Sequence, residues 1–239
     1  MASAQAMENG RMELEDVRLA IYRRFAEDGD AGLVASLADE MGIDPAEVRE
    51  AMEELAGARH LVLDDAGEIV MAHPFAAVPL GFAVMGSRTL WWGGCAWDSF
   101  ALPHLVGGWR PDLLLDGTAV LVSTTCPGCG RALAWTVGRT SPPEGGQVAH
   151  FLVPTARMWD DVVHTCGHQR IFCSTGCLDR WLDESGNSRG YVMDLHTLWH
   201  FAAHWYDGRL DRGYQRREPA ASAEYLRSVG LHGSFWGLD

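Results

Sequence analysis

The chain has 239 residues, 47% of them hydrophobic, and a formal net charge of −13. That length allows one large domain or two small ones with a real core. No run approaches the roughly 18 uninterrupted apolar residues of a membrane span, which excludes an integral helical membrane protein.

The charge is uneven. Residues 1–75 hold 17 acidic side chains against six arginines, and all 19 basic residues of the chain are arginine. The opening run, Met1 to Glu8, has no basic region followed by an apolar one, so it does not read as a secretion signal. Residues 1–12 are expected to form a disordered tail.

Residues 13–27 place Leu14, Val17, Ile21, Tyr22 and Phe25 at helical spacing. A turn at Asp28-Gly29-Asp30 follows, then helical patterns over 33–42 and 44–55. The second of these opens with Asp44 as N-cap, Pro45 at the first helical position and Glu47 three residues after the cap. Two helices around a tight turn at Gly42, followed by a hairpin from Leu61-Val62-Leu63 to Glu68-Ile69-Val70-Met71, give residues 13–74 a winged-helix pattern. The second helix carries Glu47, Glu50, Glu53 and Glu54 against Arg49 alone. Phosphate contact needs the opposite sign, so DNA binding is not expected and a structural or interaction role is.

After residue 75 the texture changes to β-prone runs broken by Gly and Pro. Strands are predicted over 78–84, 118–124, 133–137 and 148–153, and helices over 97–106, 175–184 and 194–206. The stretch 138–147 reads as a loop, and the tail from 207 to 239 as a weakly patterned extension. This alternation predicts an α+β fold on a mainly antiparallel sheet.

The six cysteines are Cys95, Cys126, Cys129, Cys166, Cys173 and Cys177. Clustered Cys-x2-Cys and Cys-x3-Cys spacings in a long chain without a secretion signal point to metal or thiol chemistry in the cytoplasm rather than to a disulfide framework. Three readings compete. Cys126-Pro127-Gly128-Cys129 and Cys173-Ser174-Thr175-Gly176-Cys177 pair as two knuckles of a structural zinc site, against four thiols packed together without a metal. Cys95, Asp98 and Cys166 combine two sulfurs with a carboxyl, a set suited to a soft thiophilic metal. A redox pair at Cys126 and Cys129 lacks the strand-to-helix setting of thioredoxin-type motifs.

The second set is the most informative. Cys95 and Asp98 are three residues apart in Trp91-Trp92-Gly93-Gly94-Cys95-Ala96-Trp97-Asp98, so on a helix they share a face. An apolar, tryptophan-rich surround disfavours charge and lets a carboxyl hold a proton. The bland alternative is a buried thiol beside a helix-capping aspartate. His196, His200 and His204 recur every four residues on a predicted helix. The apolar residues between them point to packing against the core rather than to metal ligation.

Over about residues 30–205 the chain resembles the organomercurial (alkylmercury) lyases. Cys95-Ala96-Trp97-Asp98 followed by an apolar helix and Pro103 looks like that family's first-cysteine motif. Ser123-Thr124-Thr125-Cys126-Pro127 resembles the strand bearing a further, structural cysteine, and Thr165-Cys166-Gly167-His168 the second catalytic segment. The resemblance implies a winged-helix-like domain over 13–74 and a catalytic α+β domain over 75–206. It implies protonolysis of a carbon–mercury bond, with Cys95 and Cys166 binding mercury and Asp98 moving the proton. The substrate is then a small organometallic molecule, no organic cofactor is required, and cellular thiols or a mercuric reductase remove the product, as in mercury resistance. Gly94 departs from the aromatic residue often found before the cysteine, and Cys129, Cys173 and Cys177 are additions to the pattern. These departures keep two alternatives open: a same-fold enzyme recruited to another, metal-dependent reaction on a small organic substrate, and a thiolate metal-binding protein.

Overall fold

A computed structural model of the chain describes residues 13–238; the disordered tail expected over 1–12 lies outside the described residues. Helix α1 (Leu14–Asp28) buries Val17, Ile21, Tyr22 and Phe25 on one stripe and ends at Gly29, whose φ of +82° suits glycine. A Cβ there would also meet the Leu90 carbonyl oxygen at 2.2 Å, so the helix end crosses the later strand at backbone distance. Helices α2 (Val34–Met41) and α3 (Pro45–Gly57) follow, α3 opened by the predicted capping box of Asp44 and Glu47.

Strands β1 (Val62–Leu63) and β2 (Ile69–Ala72) form the expected hairpin. It is not a separate wing at the sheet's expense: β2 pairs with β3 (Phe75–Ala76), and β3 with β5 (Leu90–Gly93). With β4 (Phe82–Met85), β6 (Ala119–Thr125) and β7 (Ala132–Gly138) they make a seven-stranded sheet in the order β1-β2-β3-β5-β4-β6-β7. The residue 74/75 boundary expected between domains thus falls between two paired strands. A second sheet has the order β10-β8-β9, from β8 (Val148–Phe151), β9 (Gln169–Phe172) and β10 (Tyr191–Asp194). Every pairing in both sheets is antiparallel. The fold is α+β on a mainly antiparallel sheet, as expected.

Helix α4 (Ala96–Trp109) is the axis of the molecule. Residues 96–107 are all buried, so the helix is covered all round, as a central helix must be. It packs against both sheets and against α7 (Leu195–Ala203), where Trp97 stacks on Phe201 at 4.0 Å between ring centroids. Three further helices, α5 (Val162–Gly167), α6 (Thr175–Ser185) and α8 (Pro219–Ser228), lie along the second sheet and the C-terminal segment. No helix among the described residues is long and apolar enough to cross a membrane.

Two expectations need correction. The strand predicted from residue 78 begins only at Phe82. Pro79 has no N–H to give a ladder, and Gly81, at φ +107°, lies where a Cβ would strike the Arg170 guanidinium at 2.0 Å. The histidine stripe of α7 does not pack against the core: His196, His200 and His204 are exposed while Leu195, Leu198, Phe201 and Ala202 are buried. A helix buries one face, and this stripe is on the other.

His104, on buried α4, has no partner for Nε2 and packs edge-on against Trp199. Burial, helped by the nearby His204 and Arg139, pushes its pKa down to about 4. The unfolded chain therefore binds a proton that the folded chain refuses. His104's contribution is complete above the ordinary value of 6.5 and is lost as pH falls towards about 4. Thermal melts across that window should show a steeper loss of Tm for wild type than for His104→Gln; parallel curves would contradict this.

Candidate active site

Strand β5 ends at Gly93, and the chain turns through Gly94 into α4. Cys95 is the N-cap of that helix: its Sγ accepts the Asp98 backbone N–H at 3.4 Å. The same turn brings the Asp98 carboxyl back over the cap, with Oδ2 at 3.3 Å from Cys95 Sγ. Gly94 is what permits this. A Cβ at residue 94 would lie 2.3 Å from Asp98 Oδ2 and 2.6 Å from the Met71 methyl group. The aromatic residue often found before the cysteine in the resembling family could not occupy this position here.

Asp98 is 1% exposed and is the one buried carboxyl among the described residues. Three donors converge on it. Cys95 and His73 Nδ1, the latter at 3.1 Å, address Oδ2; the Tyr206 hydroxyl donates to Oδ1 at 2.5 Å. Burial first, and the Asp98 charge second, hold Tyr206 well above the ordinary tyrosine value, so it remains a donor. Next to it lies Arg209, 4% exposed, which donates to the His73 carbonyl at 2.8 Å and to the Tyr214 hydroxyl at 2.9 Å. Its guanidinium stacks over the Tyr206 ring at 4.8 Å. A buried cation thus sits on the far side of the same tyrosine and histidine that hold the buried carboxyl.

Cys166 enters from α5, whose N-cap Asp161 accepts the His164 N–H at 2.9 Å. One ligand atom each from Cys166, Asp98 and His73 lies within 4.8 Å of the others. The Cys166 thiol lies near enough to that of Cys95 for each to influence the other's ionisation. Burial pushes Cys95 well above the ordinary thiol value, and the contacts with Cys166 and Asp98 add to the effect. For Cys166 the Cys95 contact favours the thiolate, yet burial and the Asp98 charge together leave it raised. Both thiols therefore keep their protons until a ligand pulls them off.

The three groups lie at the wall of a cavity of about 480 Å³, lined also by Trp97, Met158, Trp159 and Tyr206. Arg59 and Arg216, which also line the cavity, stack on Trp159 at 5.5 and 5.0 Å. The cavity has the size of a small-molecule site, and its apolar walls meet a sulfur–carboxyl cluster at one end.

The structure separates the cysteines into two groups. Cys95 and Cys166 join Asp98, whereas Cys126, Cys129, Cys173 and Cys177 form their own cluster, all four sulfurs within 4.8 Å of one another. Cys166 has not been claimed by that cluster. Sequence reasoning missed His73, Tyr206 and Arg209. They come from the end of β2 and from beyond α7, and no local spacing links them to Cys95.

The sequence profile of the alkylmercury lyase family matches residues 75–207. Among solved structures, the mercury-bound form of MerB2 superposes with a TM-score of 0.57 at 18% identity, covering 84% of this chain and 100% of that one. At that identity the likeness speaks for the fold. No curated protein matches the chain.

Two outcomes check the site. Gly94→Ala should drive a methyl group into the Asp98 carboxyl and cost about 1–3 kcal/mol, as overpacking does; calorimetry showing an unchanged Tm would contradict the close approach. In reduced protein near pH ~8.5, where an ordinary thiol is half ionised, iodoacetamide should label Cys95 and Cys166 slowly until denaturant is added. Prompt labelling of either in the native state, read by peptide mass spectrometry, would show the thiolates to be accessible and formed.

Proposed function

The chain belongs to the alkylmercury lyase family, enzymes that break carbon–mercury bonds, and we propose that it does so by protonolysis at Cys95, Asp98 and Cys166. The observation that carries this reading is that two distant thiols and the one buried carboxyl among the described residues meet at the wall of a single cavity.

The chemistry follows from the protonation states. Mercury is soft and thiophilic, so RHg⁺ exchanges its outgoing ligand for the Cys95 sulfur. The thiol proton passes across 3.3 Å to Asp98, the nearest base. Cys166 then adds a second sulfur and gives up its own proton. Extra electron density from two thiolates weakens the mercury–carbon bond, and Asp98 returns a proton to the carbon as the bond's electron pair leaves with it. In sum, RHg⁺ and two thiols become RH, a mercury(II) dithiolate and one released proton. The Tyr206 hydroxyl and His73 hold the carboxyl in place through both transfers.

Binding needs only sulfur, whereas cleavage needs the proton, so Asp98 separates the two. Thiol chemistry of this kind works in a reducing compartment, which supports a cytoplasmic location. Cellular thiols or a mercuric reductase would take the mercuric ion by thiol exchange. A second reading draws on His73, whose nitrogen lies with Asp98 and Cys166. That mixed nitrogen, oxygen and sulfur set also suits a borderline divalent ion, and a same-fold enzyme with a resident metal would use it.

Incubation of reduced protein with phenylmercury should yield benzene. Asp98→Asn should retain mercury but lose roughly 10²–10⁴-fold in turnover, the usual worth of a positioned acid–base group. Cys95→Ser and Cys166→Ser should each abolish or severely reduce benzene release. Normal turnover by Cys166→Ser would overturn the two-thiol scheme, and stoichiometric metal at His73 without benzene would favour the second reading.

A further inference from the structure

The reaction leaves four of the six cysteines unused. We propose that Cys126, Cys129, Cys173 and Cys177 bind a zinc ion that fastens the turn of the β6–β7 hairpin to the segment carrying Cys166. The inference does not depend on the lyase reading, because none of these residues lines the catalytic cavity.

The four sulfurs converge from two separate knuckles. The first is the turn between β6 and β7, where the Gly130 N–H donates to the Cys126 carbonyl at 2.9 Å and the Cys126 N–H to that of Arg131 at 2.9 Å. Gly130, at φ +72°, supplies the left-handed residue that closes it. The second begins as β9 ends: Cys173 follows Phe172, Ser174 caps α6, and Cys177 lies in that helix's first turn.

The two knuckles fit closely. A Cβ on Gly128 would lie 2.0 Å from the Cys177 carbonyl oxygen, so glycine is required for their approach. The Cys173 N–H donates to Cys126 Sγ at 3.4 Å, the kind of outer contact that orients and steadies a ligating sulfur. Arg180 donates to the Gly128 carbonyl at 3.1 Å, which brings a cation beside a site that would carry net negative charge.

The spacing suits a four-thiolate ion. All four sulfurs lie within 4.8 Å of one another, and Cys129 and Cys173 are 3.6 Å apart. A tetrahedron with Zn–S bonds of about 2.3 Å has sulfurs about 3.8 Å apart. The 3.6 Å separation is far beyond a disulfide bond of about 2.05 Å. A tetrahedral four-sulfur set suits zinc or iron. A closed set with no open position suits a structural ion. Binding would release the remaining thiol protons as Zn²⁺ takes four thiolates.

The place of the site gives it a use. Cys173 is at one end of β9 and Cys166 precedes the other. Anchoring Cys173 to the β6–β7 turn holds β9 against the large sheet, and with it the α5 segment that presents Cys166 to Cys95.

The test uses the full reduced chain. Purified without chelator, it should contain one zinc per chain by elemental analysis, and Co²⁺ loaded in its place should give the intense visible bands of a tetrahedral tetrathiolate. The Cys95→Ser/Cys166→Ser double variant should keep both signals. Cys129→Ser and Cys177→Ser should lose the zinc, and chelation should lower the wild-type Tm. Iron in place of zinc would overturn the proposal. So would failure of the reduced wild type to take up zinc or cobalt, or loss of metal from the Cys95/Cys166 variant. The cobalt spectrum of wild type is read without substrate or variant folding, so its failure is distinct from failure of lyase activity.

Discussion

The Asp98 carboxyl is the point on which this structure turns. An ionisable group buried without partners costs several kcal/mol, so a carboxyl 1% exposed survives only where donors are waiting. Here Cys95, His73 and Tyr206 supply them. Each comes from a different part of the chain, and each is fixed by something else: Cys95 by its place as N-cap of α4, His73 and Tyr206 by Arg209, which holds the carbonyl of one and stacks on the ring of the other. Satisfying one carboxyl thus organises the N-terminus of the central helix, the exit of β2 and the segment after α7.

The same constraint underlies the proposed chemistry. Burial raises both thiols and leaves the carboxyl as the nearest group to receive a proton. The protons are then released only when a ligand with strong affinity for sulfur arrives. In the proposed reaction, substrate binding and proton loading become a single event, and the acid needed for the next step is made by the one before it.

How much of this could be read from the sequence follows the range of the interactions. The capping box at Asp44, the β1–β2 hairpin and the Cys95–Asp98 pair depend on neighbours within four residues, and all were legible. The two cysteine knuckles were legible as spacings, and the grouping of Cys166 with Cys95 and Asp98 was legible beside them. His73, Tyr206 and Arg209 were not legible, because their partners lie 25, 108 and 136 residues away. The late start of β4 had a local signal in Pro79 that the apolar pattern outweighed. The α7 histidines misled because interleaved apolar residues say that a helix packs, not which of its stripes does so. Gly94 reads as a departure from the family pattern until the carboxyl beside it is seen; then it is the residue that makes room.

The central claim is that mercury ends a turnover held by Cys95 and Cys166. X-ray absorption at the mercury edge, on protein quenched after a single turnover of phenylmercury, tests it most directly. The account predicts mercury bound by two sulfurs and no carbon in wild type, and by one sulfur with the phenyl carbon still attached in Cys166→Ser. Mercury surrounded by three or four sulfurs in wild type, unchanged when Cys95 and Cys166 are replaced, would place it in the other cysteine cluster and contradict the account.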